Sequence, residues 1–238
     1  MTAIQRARQG LPHLALVFLA AIAMIATPGL AKAIDIVNGV YGTDRVSLLS
    51  ADPLPTPTGP NEVQPFILKV ADQAERRQAV ECLADAVYYE AGFEPVEGQR
   101  AVAQVILNRV RDRQFPNSVC GVVFQGFQRK TGCQFSFVCD GSMKRRPPRA
   151  HQEAFSKIVA EQALNGYVVK EVGTATHYHT DYVSPYWAPK LTKITKLGTH
   201  IFYRWPGERG GPQSLRDPYE GGEVQVWRMA AAYVLGRA

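Results

Sequence analysis

Within the segment that begins near Asp72 the pattern changes at Gly166, and that change limits the fold more than any other feature. Before it, apolar residues recur at helical spacing; after it, β-branched and aromatic residues take over. Val80, Leu83, Ala84, Val87 and Ala91 share one helical face from about Asp72 onward, and Gly92 stands where a left-handed C-terminal cap would fall. A second helix is expected over 96–113, turning Val102, Val105, Ile106 and Val110 to the core. A third follows Pro147 and Pro148, carries Ala154, Phe155, Ile158, Val159 and Gln162 along one side, and ends near Gly166. Strands are expected over 167–172, 174–178, 191–195 and 199–204, with Lys196, Leu197 and Gly198 as a hairpin turn. Helices first and a small antiparallel sheet after them make an α+β fold.

Residues 1–33 have the form of a secretory signal peptide. Arg6 and Arg8 precede the apolar run at 14–26, and Ala31-Lys32-Ala33 supplies a small-x-small cleavage pattern. That run is shorter than the roughly 20 residues that span a bilayer, so the expectation is a cleaved signal, no stable transmembrane anchor and a secreted, periplasmic monomer. Residues 34–71 read as a flexible Pro-rich linker, with five of the 16 prolines lying between 50 and 65. The main domain is placed at 72–206. The C-terminal tail, 207–238, ends in the apolar stretch VQVWRMAAAYVL, suited to a docked helix or to contact with a membrane or partner.

The net charge is +6, but Arg6, Arg8 and Lys32 belong to the leader; the remaining 24 Lys+Arg face 21 Asp+Glu, a net of +3. That balance lacks the dense basic stripe of a nucleic-acid binder. Cys82, Cys120, Cys133 and Cys139 all follow the signal and suit an oxidising compartment, where they can form two bridges in any of three connectivities. The paired CxxC motifs of a zinc ribbon are missing.

One carboxylate lies where a carboxylate is costly. With the first helix measured from Leu83, Val87 falls at about 40°, Glu90 at about −20° and Glu81 at about 160°, so Glu90 sits within the apolar stripe and Glu81 faces solvent. The helix dipole at the last turn shifts a carboxyl by less than about one pKa unit, whereas burial raises it by up to about 3 to 5. Burial should therefore leave Glu90 protonated near neutral pH, the state a glycosidase general acid needs. The competing expectation is a structural ion pair with Arg100 or Arg109, and periodicity alone does not separate the two.

Four blocks carry a family resemblance: ECLADAVYYEAGFEPVEGQRAVAQVILNRV at 81–110, FPNSVCGVVFQ at 115–125, CQFSFVCDG at 133–141 and ATHYHTDYVSPYWAPKLTKITKLGTHIFYR at 175–204. In order and content they resemble the cell-wall hydrolase family of the spore cortex-lytic enzyme SleB, over some 125 residues, which makes 72–206 a SleB-like catalytic domain. The resemblance implies a lysozyme-like α+β domain acting on peptidoglycan glycan strands, with Glu90 of the Y-x-E-A block as catalytic acid and no cofactor. The family includes lytic transglycosylases, which cut between N-acetylmuramic acid and N-acetylglucosamine and leave a 1,6-anhydro end. A single carboxyl suffices there, acting first as acid and then as base. Retaining and inverting hydrolases need a second carboxylate, for which Asp140 and Asp181 are the candidates.

Around Glu90, Gln99, Gln134, Ser136, His177, Tyr178, His179, Tyr186 and Trp187 are the candidate substrate-binding residues. Gln134 and Ser136 alternate with Phe135 and Phe137 between two cysteines, where they can reach sugar hydroxyls; the phenylalanines are read as core. His177 and His179 share a strand face. HxH beside Asp181 is also a zinc-binding pattern, but a catalytic zinc takes three protein ligands and the further upstream block is absent, so no metal is expected. Tyr178, Tyr182, Tyr186 and Trp187 form an aromatic cluster suited to sugar rings or to packing, and one of Tyr88 and Tyr89 is expected to face the cleft. Two alternatives stand beside the glycosidase: a zinc-dependent cell-wall amidase or peptidase using His177 and His179, and a noncatalytic peptidoglycan-binding module.

Overall fold

The computed structural model describes residues 62–236; the signal-like segment and most of the Pro-rich stretch lie outside the described residues. Helix α1 (Gln73–Ala91) begins where Asp72, in extended backbone, accepts a hydrogen bond from the Ala74 amide at 2.7 Å, satisfying one of the helix's open donors. Val80, Leu83, Ala84, Val87 and Ala91 are all buried along it. Gly92 departs from the expected left-handed cap: its φ is −60°. A Cβ at Gly92 would stand 2.5 Å from the Tyr88 carbonyl oxygen, so glycine is required there by close approach, with right-handed geometry.

Helix α2 (Val96–Val110) is buried at every position from 101 to 110 and has α1 and α6 (Ala150–Leu164) packed against it. It stops before the expected Arg113 because the amides of Arg111 and Asp112 tighten onto Asn108 and Arg109, three residues back, and Asp112 then bridges to Leu215. On α6, Phe155 and Val159 point inward as expected, while Ala154 is exposed. Arg76 of α1 pairs with Glu161 of α6 at 2.8 Å, and Lys157 with Glu81 at 3.0 Å. Short helical turns α3 (Val119–Val123), α4 (Ser136–Cys139) and α5 (Ser142–Arg145) lie between α2 and α6.

The strand expected over 167–172 is absent; 167–169 are irregular and 170–172 form a turn. Their β-branched side chains are nonetheless used. Val169 and Val172 join Ala101, Val105, Ala175 and Phe202 in one core cluster. Helix α2 supplies the hydrogen bonds that a neighbouring strand would have given: Gln104 Oε1 accepts from the Val169 amide, and Asn108 Nδ2 donates to the carbonyls of Gly173 and Ala175. The Tyr167 and Val172 amides donate to the carbonyls of Gln162 and Val169, so these backbone donors are partnered without a ladder.

The sheet has three antiparallel strands in the order β1-β3-β2: β1 (His177–Thr180), β2 (Thr192–Leu197) and β3 (His200–Arg204). Tyr178 pairs with Phe202 and Thr192 with Arg204. The hairpin turn falls one residue later than expected, at Gly198 and Thr199, with Gly198 at φ +59°. Glu94, in the loop after α1, accepts from the Thr199 amide at 3.2 Å and from its hydroxyl. A Cβ at Gly198 would overlap that carboxylate, so Gly198 both makes the turn and admits its clamp.

The bridges are Cys82–Cys120, which ties α1 to α3, and Cys133–Cys139, which closes the loop holding α4. Residues 62–71, at the end of the Pro-rich stretch, lie against the domain, with Val63, Phe66 and Leu68 buried and the Leu68 amide on the Leu164 carbonyl at 2.8 Å. The tail ends in α7 (Glu223–Val234), which packs on α1 and α3. The buried Glu223 carboxylate accepts from the Val119 and Cys120 amides at 2.8 and 2.7 Å, and Glu75 accepts from the amide of Glu223 at 2.6 Å. Among the described residues no helix is long and apolar enough to cross a membrane.

Candidate active site

Glu90 occupies the last turn of α1, on the side that helical periodicity assigns to the core. Burial raises its carboxyl above the ordinary range, and the nearby Asp140 pushes the same way. Two groups oppose this: the Tyr178 hydroxyl, which donates to Glu90 Oε2 at 3.0 Å, and the Arg109 guanidinium. Desolvation is the largest of these effects, as expected where a carboxylate loses water and gains only one neutral hydrogen bond.

Neither expected arginine forms an ion pair with it. Arg100 is held by Glu97 at 2.9 Å, Gln162 and the Tyr167 hydroxyl. Arg109 is 5% exposed; its Nε donates to the Thr176 carbonyl at 2.7 Å, while Nη1 has no hydrogen-bond partner among the described residues. Its guanidinium lies 5.3, 5.5 and 5.9 Å from the ring centres of Phe115, Phe135 and Tyr178. A cation surrounded by aromatic rings beside a buried carboxyl lowers the cost of ionising that carboxyl without neutralising it. Sequence reasoning treated Arg109 only as a possible ion-pair partner. The signal for more was its spacing, seven residues after Val102 on the apolar face of α2.

The alternation of β1 divides the candidates on it. Tyr178 faces the helices, packed on Phe202 and His200 at 5.8 and 5.1 Å, and reaches Glu90. His177 and His179 project together on the opposite face, both against Trp187, at 5.5 and 5.6 Å. His179 uses both ring nitrogens: Nδ1 bonds the Thr180 carbonyl and Nε2 the Tyr203 hydroxyl, each at 2.9 Å. The carbonyl contact requires a proton on Nδ1, so Nε2 of the neutral ring accepts from Tyr203. Burial, with Arg109 and Arg209 adding to it, lowers His177 to about 4. Among the described residues no group of three His, Cys, Asp or Glu side chains is placed to hold a metal ion.

The remaining candidates lie at different depths. Phe135 and Phe137 are buried, and Tyr89 stacks on Phe137 at 4.8 Å; Ser136 is exposed and Gln134 half-buried on the loop that Cys133–Cys139 closes. Tyr89 donates to the Arg146 carbonyl and Tyr88 accepts from the Arg149 amide, so both tyrosines hold the segment before α6. Gln99 is buried and donates to the Glu94 carbonyl at 3.1 Å, beneath the loop after α1. Tyr186 is 83% exposed. Of the two candidate second carboxylates, Asp140 acts electrostatically on Glu90, whereas Asp181 is paired with Lys196 at 2.6 Å beside the hairpin. Glu94, the clamp on Thr199, was not foreseen: nothing local in the sequence joins positions 94 and 199.

The comparisons with known proteins agree in direction. The family model described as Cell Wall Hydrolase matches residues 93–203, beginning just after Glu90. The spore cortex-lytic enzyme of Bacillus subtilis (strain 168) is 37% identical over 123 residues, covering 52% of this chain and 36% of the relative. That of Bacillus cereus is 38% identical over 124 residues, covering 52% and 43%. The chain thus spans about four tenths of the length of these curated relatives. Among solved structures, the catalytic domain of the Bacillus cereus SleB protein is 32% identical, with 58% of this chain and 95% of that chain covered and a TM-score of 0.45. The catalytic domain of a germination-specific lytic transglycosylase SleB from Bacillus anthracis is 33% identical, with 58% and 100% covered, also at 0.45. With four sequence blocks in the same order and the family match over 93–203, the chain belongs to the Cell Wall Hydrolase family.

Proposed function

We propose that this protein cleaves the glycosidic bond between N-acetylmuramic acid and N-acetylglucosamine in peptidoglycan, as a lytic transglycosylase with Glu90 as its single acid/base. The observation that carries the reading is the state of Glu90: a carboxyl raised by burial, hydrogen-bonded by Tyr178, and without an ion pair among the described residues. A neutral carboxyl is a proton donor to the glycosidic oxygen. As the bond between that oxygen and C1 breaks, positive charge develops on the muramic ring and negative charge on Glu90. The Tyr178 hydroxyl and the Arg109 guanidinium then stabilise the new carboxylate, which is what enables a buried acid to give up its proton. The carboxylate next takes the proton of the sugar's own C6 hydroxyl. O6 closes on C1, the anhydro product forms, and Glu90 is protonated again for the next turnover. Water is not consumed and no second carboxylate is required.

In this reading the aromatic cluster of Phe135, Phe137 and Tyr89 is the apolar wall of the cleft, and Gln134 and Ser136 on the bridged loop are the groups for sugar hydroxyls. A lysozyme-like catalytic domain, secreted to the periplasm, is the setting this reading assumes. Digestion of purified peptidoglycan tests it. Wild type should solubilise glycan equally with and without chelator, and Glu90→Gln should lose about 10²- to 10⁴-fold in rate, the usual contribution of a general acid. Chelator-sensitive cleavage of peptide or amide bonds that survives Glu90→Gln would refute it.

A further inference from the structure

Away from Glu90, at the open end of the β2–β3 hairpin, lies a cavity of about 310 Å³. Lys170, Lys193 and Arg204 contribute three cations to its lining against one carboxylate, Glu62, with Thr192 beside them. Val168 and Ile194 give it an apolar part. The register fixes where it sits. Thr192 and Arg204 pair at the end of the hairpin opposite the Gly198–Thr199 turn, and Arg204 is two residues beyond Phe202, the partner of Tyr178. Two residues of strand are roughly 7 Å, so Arg204 lies about that far along β3 from the strand partner of Tyr178, and the cavity shares no lining residue with the Glu90 site.

Its three cations hold no acidic partner among the described residues. Elsewhere in the described residues Arg76, Arg100, Lys157 and Lys196 each hold an acidic partner. No such ion pair involves Lys170, Lys193 or Arg204 within the same distance. Arg204 is only partly exposed, and a guanidinium there presents a planar fork matched to a carboxylate. Cations converging around a pocket of this size, over a small apolar surface, suit a short peptide with free carboxylates and small alkyl side chains.

We propose that this cavity binds the carboxylate-bearing peptide stem that hangs from the glycan strand. The proposal rests on the glycan-cleaving reading above and adds a specificity site to it. Each extended stem residue adds about 3.3 to 3.6 Å of reach, so a stem a few residues long would have to lead from a sugar seated at Glu90 to the cavity. Lys193 and Arg204 hold the carboxylate, and Val168 and Ile194 pack on the alkyl groups.

The test has two arms, both on the full chain. The first compares wild type, Lys193→Gln, Arg204→Gln and the double variant on glycan strands bearing stems and on the same strands stripped of them by an amidase. The double variant should raise KM about fivefold on stem-bearing glycan, the scale of partly exposed ion pairs, with kcat unchanged and stripped glycan cut as before. Equal effects on both substrates, or none, would overturn the proposal. The second arm titrates a free stem tripeptide into the protein by calorimetry. Binding should vanish when the carboxylates are amidated and weaken in Lys193→Gln, an exposed strand position that tolerates the change. No binding, undiminished binding of the amidated peptide, or equal competition by inorganic phosphate would overturn the proposal. If wild type cuts neither glycan, the glycosidase reading falls, and the calorimetry still decides whether the cavity takes the peptide.

Discussion

Glu90 pays for its chemistry in stability, and pH exposes the trade. Its carboxyl is raised in the fold, so the folded state binds its proton more tightly than the unfolded chain. The linked stability is complete below the ordinary carboxylate range and is lost as pH rises through the folded value. Glu90→Gln should therefore raise Tm more at pH 8 than at pH 4, a difference that paired thermal melts would measure. Tyr178→Phe removes the hydrogen bond that favours the charged carboxylate. The alkaline limb of the pH–rate profile, where the acid loses its proton, should move upward in this variant while kcat falls. An unmoved limb would separate Tyr178 from the ionisation of Glu90. His177 works in the opposite sense: held near 4, it costs stability as pH falls from about 6.5, and His177→Phe should flatten that acid loss. That Glu90 lies half-buried on the apolar side of α1 was legible from helical phase alone. That Tyr178 turns to it while His177 and His179 turn away required the phase of a four-residue strand, which no local pattern supplies.

At the scale of elements, the two bridges should behave differently. Cys82–Cys120 closes a loop of 38 residues and Cys133–Cys139 one of 6. Loop-closure entropy puts the loss on removing them at about 4 and about 2 kcal/mol respectively. Activity should follow the reverse order, because the shorter loop carries Gln134, Phe135, Ser136 and Phe137. Double Cys→Ser variants, followed by denaturant melts and glycan digestion, would check both orders. The three main helices were legible because their apolar stripes and Pro and Gly punctuation are local signals. The false strand at 167–172 has a physical cause: β-branched residues mark a half-buried surface rather than a ladder, and here the Val169 amide donates to the Gln104 side chain while the Tyr167 and Val172 amides donate to the carbonyls of Gln162 and Val169. The hairpin turn slipped by one residue in the sequence reading because its position answers to Glu94, more than a hundred residues away.

For the whole molecule, the tail is part of the folded unit. Glu223 and Glu75 each accept amides across the α1–α3–α7 junction, and Trp227 packs on Phe124 at 5.2 Å. Glu223→Ala should cost about 2–4 kcal/mol, the scale of leaving buried amide donors unsatisfied, with catalytic parameters of the folded fraction unchanged. The apolar end of the tail was visible in the sequence, but its choice among core, membrane and partner was not, since an apolar face does not name what covers it. Family membership and the α+β architecture agree, and the bond cut and the route by which it is cut remain the central claim. Digestion of peptidoglycan in ¹⁸O-labelled water, with mass spectrometry of the new muramic ends, tests it most directly. The account predicts anhydro ends, lighter than reducing ends by one water and free of label; reducing ends carrying ¹⁸O would show that water attacks, and would contradict a single-carboxyl transglycosylase.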